Sequence, residues 1–320
     1  MGKGSAISWT DHTFNPWIGC EKVSAGCTNC YAERDMDKRF GRAKWGKHGT
    51  RDRTSPKNWS KVRKWNRDVW GECPECSWRG SILTSDKAFN YECPTCGSGC
   101  TVVVQRVFCA SLSDVFEDRD GLVEYRRELF DLISETKALN WMLLTKRPEN
   151  INKMIEESTG LRASLWLGAN DNVWIGTSVE NQEQADKRIP ELLKVRASVL
   201  FLSMEPLLGP VDFEVESGVC HCGTEEKDHN PYSENHSYVD MPWNILLDGI
   251  GWVIVGGESG PNARPMSPEW VRVIRDQCKQ TDTAFHFKQG SSSNWSNYRA
   301  FDSFPTDLQV REFPNLNTRR

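Results

Sequence analysis

The chain has 320 residues, 26% of them charged, and a formal net charge of −4, which allows one large domain with insertions and speaks against a surface that is basic throughout. No apolar run approaches the length of a membrane span, and residues 1–8 lack the apolar core of a secretory signal. Twelve cysteines in a chain expected to be cytoplasmic read as metal ligands rather than disulfides.

Residues 6–10 predict the first strand and residues 29–40 a helix. Between them, Cys20, Cys27 and Cys30 stand as C-x6-C-x2-C. Three thiolates suit a cubane iron-sulfur cluster and leave one of its four irons unligated by protein, open to chemistry. Gly19 and Gly26 would supply tight turns beside two of them. The competing reading is a zinc knuckle with Cys109 or His12 as fourth ligand.

Charge is then concentrated. From Arg34 to Arg67 there are 13 Lys and Arg against 3 Asp, a local charge of +10, so the rest of the chain carries −14. Trp45, Trp59 and Trp65 are interleaved with these charges. Basic side chains neutralise phosphates and an indole offers a stacking face to an unpaired base, so a nucleic-acid partner is expected through this segment. Its alternative is a solvated charged stretch whose tryptophans pack against the protein.

Cys73, Cys76, Cys93 and Cys96 follow as C-x2-C, sixteen residues, C-x2-C, the spacing of a structural zinc ribbon that folds its own segment and does not catalyse. Cys100 falls just outside and is expected as a free thiol.

Six further strands are expected at residues 106–110, 140–144, 173–177, 198–203, 251–256 and 283–287, with helices over 122–137, 148–157, 181–195 and 267–280. Ser267 and Pro268 mark a helix start, Asn181 caps the helix striped by Ala185, Ile189 and Leu192, and Pro190 should kink or split that helix. Cys109 and Cys278 read as buried thiols. Two gaps, residues 41–105 and 213–247, are too long for simple connections and are expected as insertions. The second offers Cys220, Cys222, His229 and His236 as a possible second zinc set.

Strands alternating with helices give an α/β fold, a partial or full (β/α) barrel, with an open doubly wound sheet as rival. The segments would be 1–40, a first βα unit with the cysteine loop; 41–105, the basic arm and zinc ribbon; 106–212, barrel; 213–247, insertion; and 248–320, barrel completion and tail. The polar strand ends Ser111, Ser113 and Asp114, Lys146, Ser178 and Glu180, Glu205, and Gly257-Glu258 would converge on one face. Gly256-Gly257 suggests either a plain turn or close backbone approach to a ligand.

The runs Asn15-Pro16-Trp17-Ile18-Gly19-Cys20, Cys27-Thr28-Asn29-Cys30-Tyr31-Ala32-Glu33, Leu144-Thr145-Lys146-Arg147-Pro148, Ser203-Met204-Glu205-Pro206 and Gly256-Gly257-Glu258-Ser259-Gly260 resemble a bacteriophage-associated family of uncharacterised proteins. That family is similar to radical S-adenosylmethionine (SAM) enzymes, near the spore photoproduct lyases that repair DNA. The resemblance implies a barrel of radical SAM type with a [4Fe-4S] cluster on Cys20, Cys27 and Cys30, SAM, and a 5′-deoxyadenosyl radical. It also implies an electron donor for the cluster. Ser111, Ser113 and Asp114 occupy the place where that superfamily binds the SAM amino group, and Lys146 would meet its carboxylate. Glu180 or Glu205 would hold the ribose diol, with Tyr31 and Ser178 as further cofactor contacts. Two features depart from the superfamily: a six-residue first gap, and Asn29 in place of an aromatic before the third cysteine.

The expected function is radical modification or repair of a nucleic acid, DNA before RNA. The alternatives are the same chemistry on a peptide or small molecule, and a non-catalytic zinc-containing nucleic-acid-binding protein.

Overall fold

The computed structural model describes residues 5, 7–82, 90–214 and 246–315. Two units are distinguished. The first comprises Met1–Glu21, Ala32–Leu144 and Lys153–Trp174; the second comprises Lys22–Tyr31, Thr145–Asn152 and Ile175–Arg320.

In chain order the first stretch contains β1 (His12–Phe14), β2 (Trp17–Ile18), α1 (Tyr31–Glu33), β3 (Asp52–Arg53) and α2 (Pro56–Trp65). There follow β4 (Trp70–Glu72), β5 (Arg79–Ser81), β6 (Thr101–Val103), β7 (Gln105–Cys109), α3 (Leu122–Glu135) and β8 (Leu139–Thr145). The rest comprises α4 (Ile151–Thr159), α5 (Ala163–Ala169), β9 (Val173–Ser178), α6 (Gln182–Leu193), β10 (Val199–Met204), β11 (Trp252–Gly256), α7 (Pro268–Gln280) and β12 (Ala284–Gln289).

The main sheet has seven strands in the order β1-β7-β8-β9-β10-β11-β12. The pairings β1–β7, β7–β8, β10–β11 and β11–β12 are all parallel. Each later strand lies beside its predecessor, so the winding never reverses. A doubly wound sheet reverses at its switch point, and that rival is thereby excluded. The protein is a mixed α/β fold. β9, β10 and β11 are buried at every position, as expected where a parallel sheet is covered on both faces.

In the first unit, β4, β5 and β6 form a separate antiparallel sheet in the order β5-β4-β6. The helix that accompanies β1 is α2, inside the segment read as an insertion. Trp59 packs edge-on against Phe14 with ring centroids 5.2 Å apart, and Trp65 stacks on His12 at 4.2 Å. At its start, Asn58 Nδ2 donates to the Asn15 carbonyl. At its end, Gln105 Nε2 donates to the Trp65 and Asp68 carbonyls. The helix thus runs antiparallel to β1, from the end of that strand back to its start, which is the place of a βαβ crossover helix.

Three other expectations change. The first strand lies at His12–Phe14, not at residues 6–10; Trp9 packs on Phe108 at 4.6 Å, and Thr10 N–H closes a turn on Ile7. The apolar residues there serve packing, not pairing. The helix over 29–40 is the single turn α1 continued as a π-helical segment, Arg34–Arg39, with Phe40 N–H bonded to the Asp35 carbonyl at 3.0 Å. Finally, α6 is not split at Pro190 but continues through it. The carbonyl that proline leaves without a donor belongs to Asp186, which is exposed and open to water.

α7 begins as expected, with Ser267 accepting from Glu269 N–H and Pro268 at the first position. Among the described residues, no helix is long and apolar enough to cross a membrane.

Candidate metal and cofactor sites

The four cysteines of the small sheet are gathered. Cys73, Cys76, Cys93 and Cys96 place their sulfurs within 4.8 Å of one another, with Cys73–Cys96 and Cys76–Cys93 each at 3.5 Å. A zinc ion with Zn–S of about 2.3 Å needs tetrahedral sulfurs roughly 3.8 Å apart, so the set can hold a metal such as zinc. Two near copies of one turn build it. Ser77 and Gly97 N–H groups bond back to the Cys73 and Cys93 carbonyls at 3.0 and 2.8 Å, and both residues are left-handed, at φ 56 and 78. Burial pushes the Cys93 thiol up, but the Thr95 and Cys96 N–H groups together with the Cys76 and Cys96 thiols outweigh it and bring it to about 6. That makes a ready thiolate ligand. Among the described residues this is the one such group, and Cys100 lies outside it.

In the first unit, the loops after β1 and β7 are laced together by Asn15. Its Nδ2 donates to Ser111 Oγ at 3.1 Å and its Oδ1 accepts from Leu112 N–H at 2.7 Å. Asp114 is buried, with Oδ1 accepting from Phe116 N–H at 3.0 Å. Ser113 Oγ is buried and has no hydrogen-bond partner among the described residues. Cys20 belongs to this unit; Gly46 N–H donates to its carbonyl at 2.9 Å. His12 and Cys109, the alternative ligands for the triad, are engaged elsewhere. His12 Nε2 meets Gln105 Oε1 at 2.7 Å, and Cys109 is fully buried in β7, where burial pushes its thiol up.

The second unit holds the part of the cysteine loop that carries Cys27 and Cys30. Gly26 N–H donates to Glu180 Oε1 at 3.2 Å. Asn29 Nδ2 donates to Glu258 Oε2 at 3.0 Å, and Arg264 Nη1 donates to the Ala25 carbonyl at 3.0 Å. Asn29 is therefore a fastening of the loop. Glu180 is buried and paired with Arg188 at 2.8 Å; Glu258 is buried and paired with Arg264 at 2.5 Å. Burial alone would raise both carboxyls, yet Arg188 and Arg264 hold them below the usual carboxylate range. A Cβ on Gly26 would lie 3.0 Å from Glu180 Cδ. Glycine here permits close approach, not a special turn.

Lys146 Nζ donates to Ser178 Oγ at 2.9 Å. Glu205 pairs with Lys288 at 2.7 Å. Gly256 and Gly257 are crowded by protein: a Cβ would lie 2.8 Å from Glu205 Oε1 and 2.3 Å from Ser291 N respectively. Their close approach is to the chain itself. Tyr31 is exposed. Cys220, Cys222, His229 and His236 lie outside the described residues.

Sequence reading missed Arg188, Arg264, Lys288 and Asn15. Asn15 had a signal, since it opens the run Asn15-Pro16-Trp17-Ile18-Gly19-Cys20. The arginines had none, because only the folded chain brings them to the strand ends.

The basic segment is partly neutralised within the first unit. Arg51 makes a bidentate pair with Glu117 in which both side chains are 3% exposed. Arg53 pairs with Glu128 and Arg63 with Glu135. Trp59 is buried against Phe14, and Trp65 is half-buried with one face stacked on His12.

Residues 4–309 match a family described as a protein of unknown function, DUF5131, and the chain belongs to that family. No curated protein and no solved structure matches it.

Proposed function

We propose that this DUF5131 protein is a radical SAM enzyme that modifies or repairs a nucleic acid, with DNA the first candidate. The observation that carries the reading is the seat of the cysteine loop: Glu180 and Glu258, at the carboxyl ends of β9 and β11, fasten Gly26 and Asn29 on either side of Cys27. Parallel α/β sheets bear their chemistry at that edge. Cys20, Cys27 and Cys30 would hold a [4Fe-4S] cluster, which supplies the electron that cleaves SAM to a 5′-deoxyadenosyl radical.

The residues present fit SAM in one respect directly. Ser113 Oγ is a buried hydroxyl without a partner, a group that a ligand donor or acceptor would satisfy. Lys146 stands on Ser178, where its charge suits a carboxylate. Glu180 and Glu205 are committed to Arg188 and Lys288, which recasts them as supports of the site instead of ribose ligands. The four-cysteine set would carry zinc and fold the small sheet.

The gathered four-cysteine set also favours a second reading, a non-catalytic zinc protein that binds nucleic acid. Anaerobic reconstitution separates the two. The enzyme reading expects a brown protein with iron beside zinc, and reductive release of 5′-deoxyadenosine that Cys27→Ala abolishes. Colourless protein holding zinc alone, with no SAM cleavage, would leave the binding protein.

A further inference from the structure

We propose that the outer face of α2 is a docking strip for a nucleic-acid backbone, made by Lys57, Lys61 and Lys64; it rests on the reading that the substrate is a nucleic acid. At about 100° per residue, these positions fall within roughly 60° of one another. The buried positions of the same helix, Trp59 and Val62, centre on the opposite side. The helix contains no acidic residue. Arg53 and Arg63, off the strip, are taken by Glu128 and Glu135, whereas the three lysines are exposed and no ion pair involves them among the described residues.

The strip is also rigidly held. Asn58 bonds to Asn15 at one end of α2, Gln105 bonds to Trp65 at the other, Trp59 fixes the inner face against Phe14, and Trp65 at the helix end stacks on His12. The backbone that carries the charges is thus fixed, and only the lysine side chains have to be ordered on binding. Its length from Lys57 to Lys64 is about 10 Å, which spans several charges of a duplex that carries one per roughly 1.7 Å. The occupant is a phosphodiester backbone and not a membrane: a helix lying on lipid buries an apolar face in it, and the apolar face here is buried in protein. The strip itself consists of lysines and carries no aromatic side chain, so it contacts phosphates without reading bases. Binding is therefore sequence-independent and steeply salt-dependent.

The test uses the full chain with short duplex and single-stranded DNA across a salt series, comparing wild type with Lys57→Gln/Lys61→Gln/Lys64→Gln. A Lys187→Gln/Lys279→Gln control alters exposed lysines elsewhere. The strip predicts at least a tenfold loss of affinity in the triple variant, and a log–log salt slope shallower by about 2 to 3. The control should bind like wild type, and zinc content and circular dichroism should not change. Equal affinity and equal slope in wild type and triple variant overturn the strip. So does absence of binding by wild type at low salt, or binding to phosphatidylserine vesicles that the triple variant loses while its DNA binding persists. Reductive SAM cleavage, measured without DNA, stands apart from these results. Its absence in both proteins with the expected salt slopes removes the radical reading and leaves the strip; its presence in both without DNA binding does the reverse.

Discussion

Gly26 and Glu180 meet so closely that the glycine has no room for a side chain: the N–H···Oε1 bond is 3.2 Å and a Cβ would sit 3.0 Å from Cδ. Arg188 holds the carboxylate from the other side at 2.8 Å, so Glu180 cannot swing away cheaply. Gly26→Ala should therefore cost about 1–3 kcal/mol of stability, the usual scale of overpacking. It should also lower iron retained after reconstitution. Urea unfolding and iron per chain measure both; a variant that matches wild type in each shows that the loop is not seated on Glu180.

Acid should weaken the same seat. Glu180 and Glu258 have folded-state carboxyls held below the ordinary range, so the unfolded chain binds their protons more readily. Their contribution is complete above about pH 4.5, the unfolded value, and is lost as pH falls through the depressed folded values. Unfolding free energy followed downward from neutral pH should fall less steeply for Glu258→Gln than for wild type. Parallel curves would show that the Arg264 pair does not matter to acid stability.

Metal content should separate the cysteines. Cys73→Ser and Cys93→Ser should each lose the zinc and unfold the small sheet, while Cys100→Ser and Cys278→Ser retain it. Elemental analysis of purified protein decides this. Full zinc in Cys93→Ser would contradict the four-thiolate assignment.

The Arg51–Glu117 pair is buried on both sides. Removing one partner leaves the other charge desolvated, so Arg51→Met should cost about 3–5 kcal/mol. Arg51→Met/Glu117→Leu should recover much of that loss, because replacing a buried pair with apolar groups is often nearly neutral. Denaturant unfolding of both variants and of Glu117→Leu completes the cycle; a loss in the double variant equal to the sum of the two single losses would show that the charges do not act as a pair.

Ser113→Ala separates ligand binding from folding. Its buried hydroxyl has no partner among the described residues, so the change should leave stability within about 0.5 kcal/mol or raise it. Calorimetric SAM affinity of the reconstituted protein should fall several-fold. Unaltered affinity removes Ser113 from the cofactor site.

Local pattern was enough for the strands from β7 to β12 of the main sheet, because each is a short apolar run that needs burial on both faces and so looks the same wherever it pairs. It was enough also for the four-cysteine set, whose two turns are built within a few residues of each thiol, and for the start of α7. It misplaced β1, since Trp9 and Thr10 resemble strand residues while serving a turn. It also hid α2 inside a charged segment read as an insertion, because a helix with only Trp59 and Val62 fully buried carries a weak apolar signal.

The sequence by itself determined the α/β class, most of the main strands and the zinc-compatible cysteines, all consequences of periodicity and short spacing. Only the tertiary structure decided what the charges do. Arg51 meets Glu117 across 66 positions, and Asn29 meets Glu258 across 229. No local preference encodes such separations; the sheet order brings the partners together. The same folding turned Trp59 inward and left three lysines on the outside of α2.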